Sequence, residues 1–214
     1  MNKRIQSVLD FYLLVANLKT IIRTGWIDWE ISAPRLESVA EHIYGTQMLA
    51  IAMVSEYKLD LDLRKIVFML AVHELGETIV GDFSPFSNIT KDEKRRIELE
   101  VVEKILANLA IGNEIKDIYI EFEENKTPEA KFCKQVDKLE ADIQAKIYDQ
   151  EGFTDFATAR TGKLEKERQY HISVGCKNFG DAFANYDINH GMFPDEVFME
   201  FIKFVRDNKL EVGK

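Results

Sequence analysis

Apolar residues return every three or four positions along nearly all of the 214-residue chain, the spacing of one helical face. In the first segment Ile5, Val8, Leu9, Tyr12, Val15 and Ala16 fall on one side, which predicts a helix over 3–20. From Thr20 through Ala33-Pro34-Arg35 the pattern is irregular. Ser38-Val39-Ala40-Glu41 then has the form of a capping box, Ser38 capping the helix and Glu41 reaching back to it, and opens a helix to about Tyr57. Asp60 or Asp62 caps the next, which carries Ile66, Val67, Leu70 and Ala71 inward and ends near Ile79 or Gly81.

A second capping box, Thr90 with Glu93, starts a helix through Leu109, and a shorter one covers 113–124. Thr127-Pro128-Glu129 combines a cap, a proline at the first helical position and an acid at the positive end of the helix dipole. The stripe Phe132, Val136, Leu139, Ile143 and Ile147 carries that helix to Gln150. Beyond Gly152 the pattern loosens, punctuated by Gly162, Gly175, Gly180 and Gly191, and the alternating charges from Lys163 to Arg168 predict a solvated helix face. Pro194 opens a last helix through Val197, Phe201 and Phe204. Phe179, Phe183, Tyr186, Phe193 and Phe198 are expected to pack over the core or at a subunit interface, and Met48, Met53 and Met69 occupy core-type positions. No strand-type alternation or internal repeat is present, so the fold class is all-α.

Composition narrows the class. With 46% hydrophobic and 30% charged residues the chain can bury a core and cover it, as one domain with or without an appendage. A net charge of −9 argues against a broad nucleic-acid surface, while a small anion remains bindable if a cation sits in its pocket. Cys133 and Cys176 lack metal-type or redox-type spacing and are expected as two reduced thiols rather than one disulfide. No signal-peptide pattern is visible, and no apolar run approaches the roughly 18 residues of a membrane span. A cytoplasmic protein without a membrane partner is the expectation.

The chemistry concentrates in Val72-His73-Glu74-Leu75-Gly76-Glu77-Thr78-Ile79-Val80-Gly81-Asp82. A histidine and three acids share this otherwise apolar stretch. Acids packed so densely repel one another and resist desolvation, a penalty that a bound cation removes. The zinc-protease helix His-Glu-x-x-His does not apply, because position 77 is Glu. A second imidazole must come from His42, His171 or His190. His42 lies in the preceding capped helix and Asp137 beside the core stripe of a later one, so His42, His73, Glu74 and Asp137 offer two nitrogens and two oxygens. Such a set suits Mn, Fe, Co, Ni or Zn better than Ca. Taken singly, Asp137 equally fits an ion pair with Lys134 or Lys138, and Trp26 equally fits plain core.

The order His42, His73-Glu74, Asp137 on helices resembles the HD-domain metal-dependent phosphohydrolases, most closely their 5′-deoxynucleotidase branch. Four stretches carry the likeness: Leu18-Lys19 through Arg23-Thr24-Gly25-Trp26, Glu37 through His42, His73 through Asp82, and Glu129 through Glu140. The resemblance implies an HD-domain helical bundle with a helical C-terminal extension: one domain over 1–214, its metal-binding core about 36–150 and the extension about 152–214. It implies one divalent transition metal on His42, His73, Glu74 and Asp137. Glu77 would handle protons, Asp82 would hold or orient the nucleophilic water, Arg23 would contact phosphate, and Trp26 would shape the sugar and base pocket. A nucleotide substrate and a homodimer are further implications. The chain departs from the pattern at Glu74, where the family's name records an aspartate; the carboxylate is kept on a stem one methylene longer. Besides deoxynucleoside monophosphate hydrolysis, two alternatives stay open: another nucleotide or phosphoester, and a nucleotide-binding regulatory module with weakened catalysis.

Overall fold

A computed structural model of the protein describes residues 2–84, 87 and 89–211. Among these the secondary structure is helical, with a single isolated antiparallel bridge between Ile22 and Ser38. The helices are α1 (Lys3–Val15), α2 (Thr24–Asp28), α3 (Val39–Glu56), α4 (Leu63–Val72), α5 (Glu77–Val80), α6 (Lys91–Leu106), α7 (Gly112–Glu124), α8 (Pro128–Gln150), α9 (Gly162–Ser173), α10 (Phe179–Asn189) and α11 (Glu196–Asp207). The all-α expectation holds.

The capping residues are those the sequence predicts, and of the two expected capping boxes the one at Ser38 has both of its bonds. Ser38 Oγ accepts from the Glu41 N–H at 3.3 Å while the Ser38 N–H donates to Glu41 Oε2 at 2.9 Å, which closes the capping box of α3. Asp62, not Asp60, caps α4, and Thr90 Oγ1 caps α6 by accepting from the Glu93 N–H. Thr127 Oγ1 accepts from the Ala130 N–H at 3.2 Å and fixes the start of α8. Two ends differ from expectation. The first helix tightens into a 3-10 turn at Ala16–Lys19, and the helix expected to run to Ile79 or Gly81 stops at Val72.

The chain divides into two compact units, residues 1–24 with 37–134 and residues 25–36 with 135–214. In the first, α3 packs on α4, α4 on α7, and α6 on both α5 and α7. Its core contains Val72, Leu75, Val102, Leu106, Ile115 and Tyr119, with Phe11 and Val15 of α1 laid against it. Only part of the apolar face predicted for α1 packs inward. Val15 of that face and Phe11 lie against the core, whereas Ile5, Val8, Leu9 and Tyr12 are exposed, because α1 has apolar residues on more than one side. Met53 and Met69 are buried as expected, whereas Met48 is exposed on α3.

The second unit is built on aromatic rings. Trp26 meets Tyr148 edge-on with centroids 5.4 Å apart and stacks on Phe183 at 5.4 Å, and Trp29 meets Phe179 at 5.3 Å. Side chains of α8 tie down the C-terminal segment: Gln135 exchanges hydrogen bonds with Asp195, Gln150 with Leu210, and Lys146 Nζ donates to the Arg206 carbonyl. The charge run of α9 is only partly solvated. Arg168 is buried, pairs with both oxygens of Glu165, and donates to the carbonyls of Phe156 and Ala157, because those carbonyls need donors where no ladder supplies them. Cys133 and Cys176 are buried and are not joined in a disulfide.

The corner between α6 and α7 requires a glycine. A Cβ at Gly112 would stand 2.2 Å from the Leu106 carbonyl oxygen, and backbone is the neighbour least able to yield. Gly112→Ala is expected to cost about 1–3 kcal/mol, the usual range for overpacking, seen as a lower midpoint in urea.

Candidate metal centre

Where α4 ends, its chain continues through i→i−3 bonds, Leu75 N–H to the Val72 carbonyl, Glu77 N–H to Glu74 and Thr78 N–H to Leu75. This tighter winding replaces the expected continuous helix, so the acids project from a turn rather than from one helical stripe. The turn runs close to α6: a Cβ on Gly76 would lie 2.5 Å from Glu98 Cβ and 2.9 Å from the Tyr119 hydroxyl. Gly76 is therefore a packing glycine.

His42 comes from the first turn of α3 and is fully buried; His73, the C-cap of α4, is 3% exposed. The His73 Nδ1 lies 2.7 Å from the Leu70 carbonyl oxygen. A carbonyl only accepts, so Nδ1 carries a proton, which in the neutral imidazole leaves the lone pair on Nε2. That is the tautomer a metal ligand needs. Glu74 Oε1 stands 3.4 Å from His73 Nε2, 3.9 Å from His42 Nε2 and 3.5 Å from the Arg23 guanidinium. The two imidazole rings have centroids 5.5 Å apart. The longer stem of Glu74 thus delivers its oxygen to both imidazoles. His42, His73 and Glu74 can each present one ligand atom, those atoms lying within 4.8 Å of one another. Two borderline nitrogens and a hard oxygen fit a divalent transition ion.

Glu77 is 2% exposed, and its pKa is held well above the carboxylate range by burial first, then by the charges of Glu74 and Asp82; Lys94 and Arg23 act in the opposite sense. Lys94 Nζ stands 3.5 Å from Glu77 Oε1 and 3.3 Å from Glu98 Oε1. Asp82 Oδ2 accepts from the Thr24 N–H, and the Asp82 carbonyl accepts from the Thr24 hydroxyl at 2.8 Å. The Arg23 N–H donates to the Glu37 carbonyl. Arg23 is therefore fixed by main-chain bonds on both sides, and one oxygen of Asp82 is engaged in holding that segment.

Arg23, His42, His73, Glu74, Glu77 and Asp82 all belong to the first unit. Trp26 and Asp137 fall in the second. Trp26 is 2% exposed, and its ring is enclosed by Tyr148, Phe179 and Phe183. Asp137 is a buried residue of α8 whose Oδ2 lies 3.1 Å from Lys138 Nζ. Lys94 and Glu98 were not singled out from the sequence. The signal was present: Glu98 interrupts the apolar stripe that continues through Val101, Val102 and Ile105, and Lys94 precedes it by one helical turn.

Imidazoles, a carboxylate and a guanidinium gathered at the end of a short helix, on an all-helical frame, make a site suited to a cation with an anion beside it. The family model described as HD domain matches residues 15–178, and the chain belongs to the HD-domain family. It is 34% identical over 195 residues to the 5′-deoxynucleotidase HDDC2 of Danio rerio, covering 82% of this chain and 95% of that protein. The protein of the same name from Dictyostelium discoideum is 37% identical over 152 residues, 68% of this chain and 79% of that one. In fold, the chain is similar to the PH0347 protein from Pyrococcus horikoshii OT3, with a TM-score of 0.66 and 23% identity over 94% of this chain and 99% of that one.

Glu98 makes stability depend on pH. Burial raises its pKa first, and Glu74 adds to this while Lys94 opposes it, with a net value of about 7 against an ordinary 4.5. Between these values the folded state holds more protons than the unfolded chain, so this contribution falls as pH rises and is fully lost above about 7. In metal-free protein, Glu98→Gln is expected to flatten the decline of the unfolding free energy between about pH 4.5 and 7, measured by urea titration across that window.

Proposed function

We propose that the protein is a metal-dependent phosphomonoesterase that converts deoxyribonucleoside 5′-monophosphates to deoxynucleosides and phosphate. The observation that carries this is the pair of buried imidazoles facing Glu74, with His73 in the ligand tautomer and Arg23 beside them. The names of the relatives supply the substrate class.

His42, His73 and Glu74 would hold the ion, and Asp137, a buried carboxylate of α8, would be the fourth ligand, as the order of the motif along the sequence implies. A divalent ion of the Mn, Fe, Co, Ni or Zn type supplies Lewis acidity to a phosphoryl oxygen and to a water. Arg23 offsets charge on the phosphoryl group with a planar fork that matches its oxygens. The Glu37 and Thr24–Asp82 bonds hold its backbone, and Glu74 lies 3.5 Å from the fork itself. Glu77, whose pKa is raised by burial and by the neighbouring acids, delivers a proton to the leaving sugar oxygen. Asp82 orients the attacking water with the carboxylate oxygen not bonded to Thr24. Trp26 would help shape the sugar and base pocket, the role that the likeness to the deoxynucleotidases implies.

Two further parts of the proposal concern setting. A cytoplasmic location agrees with two cysteines that are not joined in a disulfide and with the finding that no helix among the described residues is long and apolar enough to cross a membrane. A homodimer agrees with α1, which leaves Ile5, Val8, Leu9, Tyr12 and Leu13 all exposed. Light scattering should give twice the 24.7 kDa chain mass, and Leu9→Glu with Leu13→Glu should shift it to the chain mass itself. A wild-type monomer at tens of micromolar would refute the dimer.

Activity is tested by orthophosphate release from dAMP, AMP and ATP, using metal-stripped protein resupplied separately with Mn²⁺, Co²⁺, Zn²⁺ or Mg²⁺. Release from dAMP well above AMP, lost on stripping, is the expected result. Release from ATP alone, or none with any ion, would overturn the proposal. Glu77→Ala is expected to lower kcat by roughly a hundredfold or more while the metal is retained.

A further inference from the structure

Glu98 is 6% exposed on the core stripe of α6, where an apolar residue would cost nothing to bury. It does not sit there as half of a surface pair. Its stem packs under the Gly76 backbone, close enough that no side chain fits at that position. Its Oε1 lies 3.3 Å from Lys94 Nζ, one helical turn away, and the same ammonium reaches 3.5 Å from Glu77 Oε1. The face of Phe83 lies 5.8 Å from that nitrogen. Glu77 Oε2 is buried and has no hydrogen-bond partner among the described residues. The ammonium therefore holds one oxygen of Glu77 and leaves the other unengaged.

We infer that Lys94 is a positioning residue for Glu77, and that Glu98, wedged beneath Gly76, aims Lys94 at it. The inference rests on the role given to Glu77 under the proposed function. A carboxyl group with a free rotor presents its working oxygen in many directions. With one oxygen fixed by a charge-assisted contact, the second keeps a single direction, and misplacement by an ångström is enough to slow proton transfer. Lys94 is only half-buried, but its ion pair with Glu98 limits how far it can swing. An arginine can make the same contact with Glu77, whereas methionine keeps the length of the stem and loses the contact.

The test compares wild type, Lys94→Met, Lys94→Arg and Glu98→Gln in steady-state hydrolysis of dAMP. Co²⁺ binding to each metal-stripped protein is measured by calorimetry. Lys94→Met is expected to lower kcat roughly tenfold or more with KM and Co²⁺ affinity unchanged. Lys94→Arg should recover part of that loss, and Glu98→Gln should show a smaller loss of the same kind. Unchanged kcat in Lys94→Met would overturn the inference. So would a rise in KM alone, which would make Lys94 a phosphate contact, or a parallel loss of Co²⁺ binding, which would make it part of the metal site. Should Lys94→Met not fold, Glu98→Gln, nearly isosteric with the native residue, carries the same comparison. An inactive wild type would count against the proposed function, whereas an active wild type with an equally active Lys94→Met would count against Lys94 alone.

Discussion

Carboxylates do not share a buried space without help, and the first unit is arranged around that constraint. Glu77 and Glu98 are nearly inaccessible to water, and Glu74 is close enough to raise the pKa of both. Positive charge reaches them from two directions, Arg23 on Glu74 and Lys94 on Glu77 and Glu98. Lys94 shows the balance: burial pulls its pKa down, but the acids around it win and hold it above its ordinary value. The glycine at 76, the tight winding after Val72 and the tie from Asp82 to Thr24 bring these groups close enough for such offsets to operate.

The second unit contains a different electrostatic burden. Asp142 of α8 is buried with neither carboxylate oxygen hydrogen-bonded among the described residues. Burial, then the charge of Asp187 on α10, raises its pKa well above the usual range, and Lys138 offsets only part of this. Asp187 is itself raised to about 6, chiefly by burial. Nothing in the proposed chemistry calls on either group. Burial favours the protonated form of each over the charged one.

Much of this was legible in the residues. Ser38, Asp62, Thr90 and Thr127 announced four helix starts, since capping is a local contact and needs no knowledge of the fold. His42 and the His73–Glu74 pair stood out because polar groups on apolar stripes require a reason. The aspects that periodicity missed depend on distant partners. Nothing near Val72 signals that the helix stops there; the close passage of α6 at Gly76 is where the turn becomes visible. Arg168 reads as part of a charged surface until Phe156 and Ala157 turn their carbonyls to it. The inward side of α1 was legible only in part, since Val15 lies on the predicted face but Phe11 wins its place only by meeting the core cluster.

The bond from Thr24 to Asp82 joins residues 58 positions apart, and the Arg23 amide looks to Glu37. The groups of the site are therefore scattered along the chain and closed by long loops, whose entropy must be met before any contact is rewarded. Its geometry is a property of the assembled tertiary structure, with no short segment containing it in miniature. An excised peptide spanning His73 to Asp82 would keep four of the chemical groups and lose the contacts that aim them, which belong to Arg23, Thr24, Leu70, Lys94 and Glu98.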